Sequence, residues 1–154
     1  MTPANVTPET LAKYRLFAGL SSDILAKIAS ITSVQSFDRD EEIFATGDTA
    51  HAMFIVVEGR INVLIDAGAA GTITVSTIGE GESLGWSGVI QPHYFSATAR
   101  AVDAGTALVV NAPALRRLMA ENCEVGSAML TRAAQMLAIR LRDTRYQLIG
   151  MIHH

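Results

Sequence analysis

The sequence predicts an all-β barrel or jelly roll held between helices, and three observations point there. Between residues 34 and 110 the apolar residues fall in short runs rich in β-branched side chains, separated by turn-forming clusters. On either side of that stretch the apolar period changes to the helical one. The short runs follow one another with no helical stretch between them, which excludes alternating βαβ units and a parallel sheet.

In the first zone, residues 8–32, Leu16, Phe17 and Leu20 precede Ser21-Ser22-Asp23, a helix start signal. Ile24, Leu25, Ile28 and Ile31 then recur at helical spacing. In the second zone the strand-like residues are Phe37, Ile43, Phe44, the run 53–57, Ile61, Val63, Ile65, Ile73, Val75 and Ile78. Asp38-Arg39-Asp40, Thr46-Gly47-Asp48, Glu58-Gly59, 67–71 and 79–81 punctuate them. Glu58-Gly59, between VV and RINVLI, reads as the turn of a β-hairpin.

The third zone, residues 113–152, is helical again. Asn111-Ala112-Pro113 reads as an N-cap with proline in the first turn. A second helix is expected from about Glu124. Along it Leu130, Ala134, Leu137, Leu141, Thr144, Leu148 and Met151 alternate steps of four and three, a heptad seam with one polar interruption. A long amphipathic helix packed on its own barrel has the same pattern. The later part exceeds what a small barrel covers, so a homodimer through this helix is the expectation.

The chain, residues 1–154, reads as a single domain: N-terminal helices over 1–33, a β-roll over 34–111, and C-terminal helices over 113–152. A composition 49% hydrophobic and 18% charged is that of a packed core rather than a disordered chain. A net charge of −3 argues against a surface built to neutralise nucleic-acid phosphates. Cys123 is the only cysteine, so an intrachain disulfide is excluded and a reducing, cytoplasmic location is expected. The apolar runs are too short to cross a bilayer, and MTPANVTPET lacks the basic and apolar regions of a signal peptide. Neither nucleic acid nor membrane is an expected partner. The terminal His153-His154 pair is assigned no function.

The stretch of most chemical interest is residues 81–101, GESLGWSGVIQPHYFSATARA. Gly81, Gly85 and Gly88 with Ser87 and Ser96 suggest a backbone cradle for an anion, yet no cation lies between Glu82 and Ala99. Its GEGESLG lead-in sits between strands rather than opening a βαβ helix, which excludes a dinucleotide fingerprint.

In this order along nearly the whole chain, four segments resemble the cyclic nucleotide-binding domain family, as found in catabolite activator and FNR-type regulators. They are LFAGLSSDILAKIA, EEIFATGDTAHAMFIVVEGRINV, GEGESLG with FSATARA, and AQMLAIRLRDT. The resemblance implies a mainly β fold with flanking helices. Its core would be a double-stranded β-helix or jelly roll of about eight strands, with N-terminal helices and a long C-terminal helix. It also implies that 81–101 is the phosphate-binding cassette. There Gly85 would let the backbone approach a cyclic phosphate, and a short helix after it would aim N–H groups at the anion. Thr144 aligns with the threonine of the C-terminal helix that contacts the base in catabolite activators. The sequence stops where transcription regulators of the family continue into a winged helix-turn-helix, so operator binding by that route is not expected.

Two departures stand out. Where binders of cyclic nucleotides carry a glutamate for the ribose, this chain has Trp86. Where they carry an arginine for the phosphate, it has Phe95. Arg100 lies further along the strand on the opposite face, as a structural or surface residue. Removing one partner of such a charge-assisted contact costs roughly 2–5 kcal/mol, about 30- to several thousand-fold in affinity. Canonical cAMP and cGMP binding is therefore disfavoured.

The candidate pocket comprises Gly85, Trp86, Ser87, Phe95, Ser96, Ala97 and Thr144; the candidate dimer helix is carried by Leu130, Ala134, Leu137, Leu141 and Leu148. Trp86, Tyr94 and Phe95 either line a pocket for a different, planar or apolar ligand or collapse into the vacated site. His51, His93 and Cys123 show no metal-ligand spacing, and no cofactor is assigned. Cys123 is expected to be a packed thiol, with a redox sensor near a helix start as the sharper alternative. Asp38, Asp40, Glu41 and Glu42 read as a solvated turn. Arg116, Arg117, Arg132, Arg140, Arg142 and Arg145 read as the solvent flank of the dimer helix, paired with Glu121, Glu124 and Asp143.

No catalytic dyad or triad stands out, so an enzyme is not expected. Three functions remain open: a sensor of an effector other than cAMP or cGMP, or of a protein partner; a ligand-free dimerisation or interaction module; and a weak cyclic nucleotide binder. In the first, occupancy of the cassette shifts the β-roll against the last helix.

Overall fold

The computed structural model describes residues 6–152. Residues 1–5, which open the segment read for a signal peptide, and His153-His154 lie outside it.

Two short helices come first, α1 (Pro8–Ala12) and α2 (Ser22–Ala29), with a 3-10 turn at Arg15–Phe17 between them. Ser21 caps α2 as its sequence suggests, its hydroxyl accepting from the backbone N–H of Ile24 at 3.3 Å. The helix buries Ile24, Leu25 and Ile28 on one face.

Eight strands follow: β1 (Thr32–Phe37), β2 (Glu42–Phe44), β3 (Ala52–Glu58), β4 (Ile61–Asp66), β5 (Thr72–Ile78), β6 (Ser83–Leu84), β7 (Thr98–Ala101) and β8 (Gly105–Asn111). They form two antiparallel four-stranded sheets, ordered β1-β8-β3-β6 and β2-β7-β4-β5. The chain closes with α3 (Ala112–Glu121) and α4 (Cys123–Ile152). The fold is thus mainly β, a jelly roll with short N-terminal helices and a long C-terminal one. Asn111 caps α3, accepting from Ala114 N–H at 2.9 Å, and Pro113 occupies the first turn.

The sheets enclose one core, and the helices close a second. β3 is buried on both faces because it separates them. Met53 and Ile55 point towards the helices, joining Phe17, Ile28, Leu108, Val110, Val125 and Met129. Ala52, Phe54 and Val56 point into the roll with Phe37, Phe44, Ile61, Ala99 and Ala107. Two-sided burial explains the uninterrupted apolar run at 53–57, where a half-exposed strand would alternate.

The hairpin expected at Glu58-Gly59 is not formed. β3 pairs with β8 and β6, whereas β4 pairs with β7 and β5. The turn instead carries the chain from one sheet to the other, with Gly59 at φ +97°. Packing at this corner is tight. A Cβ on Gly105, which opens β8, would stand 2.0 Å from the Glu58 carbonyl oxygen. The hairpin that does form joins β4 to β5, closed by Ala67 N–H donating to Gly71 O at 2.8 Å.

Among the described residues, no helix is long and apolar enough to cross a membrane.

Candidate functional site

The cassette is positioned by β6, which pairs with β3 through Leu84 and Phe54. Gly85 follows in the left-handed conformation, φ +84°, and a 3-10 turn at Trp86–Gly88 comes next. A Cβ on Gly85 would meet the Ala52 carbonyl at 3.1 Å and the Phe54 ring at 3.3 Å. One on Gly88 would stand 2.8 Å from the Ala112 Cβ. Both glycines are therefore explained by close packing of the cassette on β3 and α3. The turn after Gly85 is a single 3-10 turn, with Gly88 N–H donating to Gly85 O and Val89 N–H to Trp86 O.

The two aromatic replacements part company. Phe95 enters the roll and is 2% exposed. Its backbone is fixed from both sides, Phe95 N–H donating to Asp48 O at 2.9 Å and Gly47 N–H to Phe95 O at 2.8 Å. Its ring stacks on Phe44, with centroids 3.7 Å apart and planes at 13°. Phe44 in turn lies 5.7 Å from Phe54, and the His51 ring meets Phe95 edge-on at 6.0 Å. The position that the resemblance assigns to the phosphate cation is thus part of an aromatic stack, where an unpaired anion would be strongly disfavoured.

Trp86 instead joins the helical core, 6% exposed, with Val89, Ile55, Met129 and the half-buried Met136. Its Nε1–H donates to Ser83 Oγ at 3.0 Å.

The other candidate residues are not gathered around Phe95. Ser87 is half-buried and its carbonyl accepts from His93 Nδ1–H at 2.9 Å. Ser96 is exposed and Ala97 half-buried. Thr144 is exposed on α4, its hydroxyl donating to Arg140 O of the preceding turn at 2.8 Å. Two recesses of about 490 and 460 Å³ lie beside Ile24 and Cys123 and beside His51 and Asn111; neither is lined by Gly85, Phe95 or Thr144.

Three of the arginines read as a solvent flank turn inward instead. Arg116 donates to Gly88 O at 2.5 Å, Arg140 to Ser83 O at 2.9 Å, and Arg132 to Arg15 O at 2.8 Å and to Ala18 O. Backbone carbonyls at chain turns recruit them, which helical spacing does not reveal. Burial lowers the Arg140 guanidinium from its ordinary pKa, with Glu82 acting in the opposite direction. Arg142 does meet Asp143, at 3.6 Å. Arg100 is exposed, 4.0 Å from Glu42.

Cys123 is exposed at the first turn of α4 rather than packed. Among the described residues no three His, Cys, Asp or Glu side chains come together as a metal site. The acidic segment is a tight turn, Glu41 Oε1 accepting from Asp38 N–H at 3.2 Å and Asp40 taking φ +67°.

Along α4 the buried residues are Val125, Gly126, Met129 and Ala133. The seam residues Leu130, Ala134, Leu137, Leu141, Thr144, Leu148 and Met151 are all exposed. Residues 141–152 are exposed throughout, a projection of about 18 Å.

A jelly roll with a cassette between β6 and β7 and a long final helix is the layout of a cyclic nucleotide-binding domain. The profile of that family, cyclic nucleotide-binding domain, matches residues 34–122. The chain belongs to the cyclic nucleotide-binding domain family. A cyclic nucleotide-binding domain from Methylobacillus flagellatus superposes with a TM-score of 0.79 at 24% identity, covering 93% of this chain and 80% of that one. Glutaminase 1 of Bradyrhizobium diazoefficiens is 28% identical over 131 residues, 85% of this chain and 21% of that protein. The CRP-like cAMP-activated global transcriptional regulator of Mycobacterium tuberculosis is 23% identical over 144 residues, 94% of this chain and 62% of that protein. The chain therefore spans less than two thirds of the length of these two curated relatives.

Proposed function

We propose that this chain is a non-enzymatic regulatory module whose cassette is closed, and that it acts by dimerising through α4 without taking a cyclic nucleotide. The observation that carries the reading is the Phe95 ring, buried in the roll and stacked on Phe44 where a phosphate would need a cation. Of the two roles the sequence leaves for the rings, lining a pocket or closing it, the packing favours closing. The separation of Trp86 from Phe95 supports this, since the two rings belong to different cores and do not face a common cavity.

The dimer rests on α4. Leu137 and Leu148 are 48% and 57% exposed, and a projecting helix of this length is marginal in water on its own. A second copy offers the same seam, and a two-fold pairing satisfies both chains at once.

Native mass spectrometry tests both halves. The expected species is two chains with no added mass. Leu141→Asp combined with Leu148→Asp places charges in the seam and is expected to weaken the dimer at least ~100-fold with the fold intact. A small molecule retained on each chain, or a monomer from the unaltered protein at tens of micromolar, would overturn the reading.

A further inference from the structure

Among the described residues, the hydrogen bonds between the cassette and α4 converge on Ser83. Ser83 lies on β6, just before Gly85. Its hydroxyl accepts from Trp86 Nε1–H at 3.0 Å and donates to Met136 Sδ at 3.4 Å, as one proton and two lone pairs permit. Its carbonyl accepts from Arg140 at 2.9 Å. Met136 and Arg140 stand one helical turn apart and are half-buried. They continue the face of α4 that buries Met129 and Ala133, and beyond them α4 is exposed to its end.

We propose that Ser83 is a lock that holds α4 on the cassette with no ligand bound, so that the projecting seam is always presented. The lock rests on the closed-cassette reading above and extends it from the site to the helix. The cassette is held from α3 as well, since Arg116 donates to Gly88 O at 2.5 Å. Swinging α4 away would break the Arg140 bond to Ser83 O and the Ser83 Oγ contact to Met136 Sδ, and would uncover the Trp86 ring, which packs in the helical core with Met129 and Met136. Losing a charge-assisted hydrogen bond and buried apolar contact both cost stability. Trp86 thus contributes a tie to the dimer helix at the position where the family's binders place a ribose contact.

Hydrogen exchange by peptide tests the lock on the full chain. In Ser83→Ala, which loses the hydroxyl contact to Met136 and keeps the carbonyl that Arg140 reaches, the amides of residues 133–140 are expected to exchange roughly 2- to 10-fold faster. Arg140→Met should do the same, and Ser83→Thr, which keeps the hydroxyl, should restore slow exchange. Trp86 is the only tryptophan, so its emission should shift in Ser83→Ala and stay in place in Ser83→Thr. Unchanged exchange over 133–140 in both Ser83→Ala and Arg140→Met would overturn the lock. So would a rise matched by an equal one in β3, because Ser83 would then support the domain as a whole. Fast exchange at 141–152 in every variant would count against the dimer alone, and a response of 133–140 to Ser83 would still support the lock.

Discussion

Phe95 and Trp86 both stand where a polar contact to a cyclic nucleotide would be expected, yet they finish in different cores. Phe95 is held between the 47–48 turn and the start of β7, so its ring has nowhere to go but into the roll. Trp86 follows a left-handed glycine that turns the chain outward, and its ring reaches the helices. On the closed-cassette reading, Phe95 fills the roll and Trp86 packs against α4, so the cassette contributes to two packing surfaces and changes at the two rings should fail in different ways.

The largest effect is expected inside the roll. Phe95→Ala removes a stacked, buried ring and should cost about 3–5 kcal/mol in urea denaturation. A cost under about 1 kcal/mol would mean that the ring is not part of the core. Trp86→Phe should cost about 1 kcal/mol, because it keeps most of the apolar burial and loses the Nε1–H bond to Ser83. Equal costs for the two substitutions would erase the distinction drawn between them.

Much of the architecture was legible in the residues. Ser21 and Asn111 cap the helices that their positions suggest, and the strand run 53–57 is a strand. These are local signals, decided within a few residues of themselves. The Glu58-Gly59 turn was misread because a tight turn specifies only a reversal of the chain. Which strands pair is decided by β8, distant in sequence, inserting between β1 and β3. The inward arginines were missed for a related reason. Arg140 reaches Ser83 and Arg132 reaches Arg15 across long separations, and helical periodicity carries no record of a carbonyl waiting in another element. The substitutions at Trp86 and Phe95 were visible, but which core each ring would enter was not. That depends on Gly85 and on the hydrogen bonds around Phe95, which exist only once the roll has formed.

Calorimetric titration of the unaltered protein with cAMP and with cGMP tests the central claim most directly. With Phe95 stacked in the roll, no saturable heat is expected up to about 1 mM of either nucleotide. Saturable binding with a Kd of a few micromolar, at about one nucleotide per chain, would contradict the closed cassette.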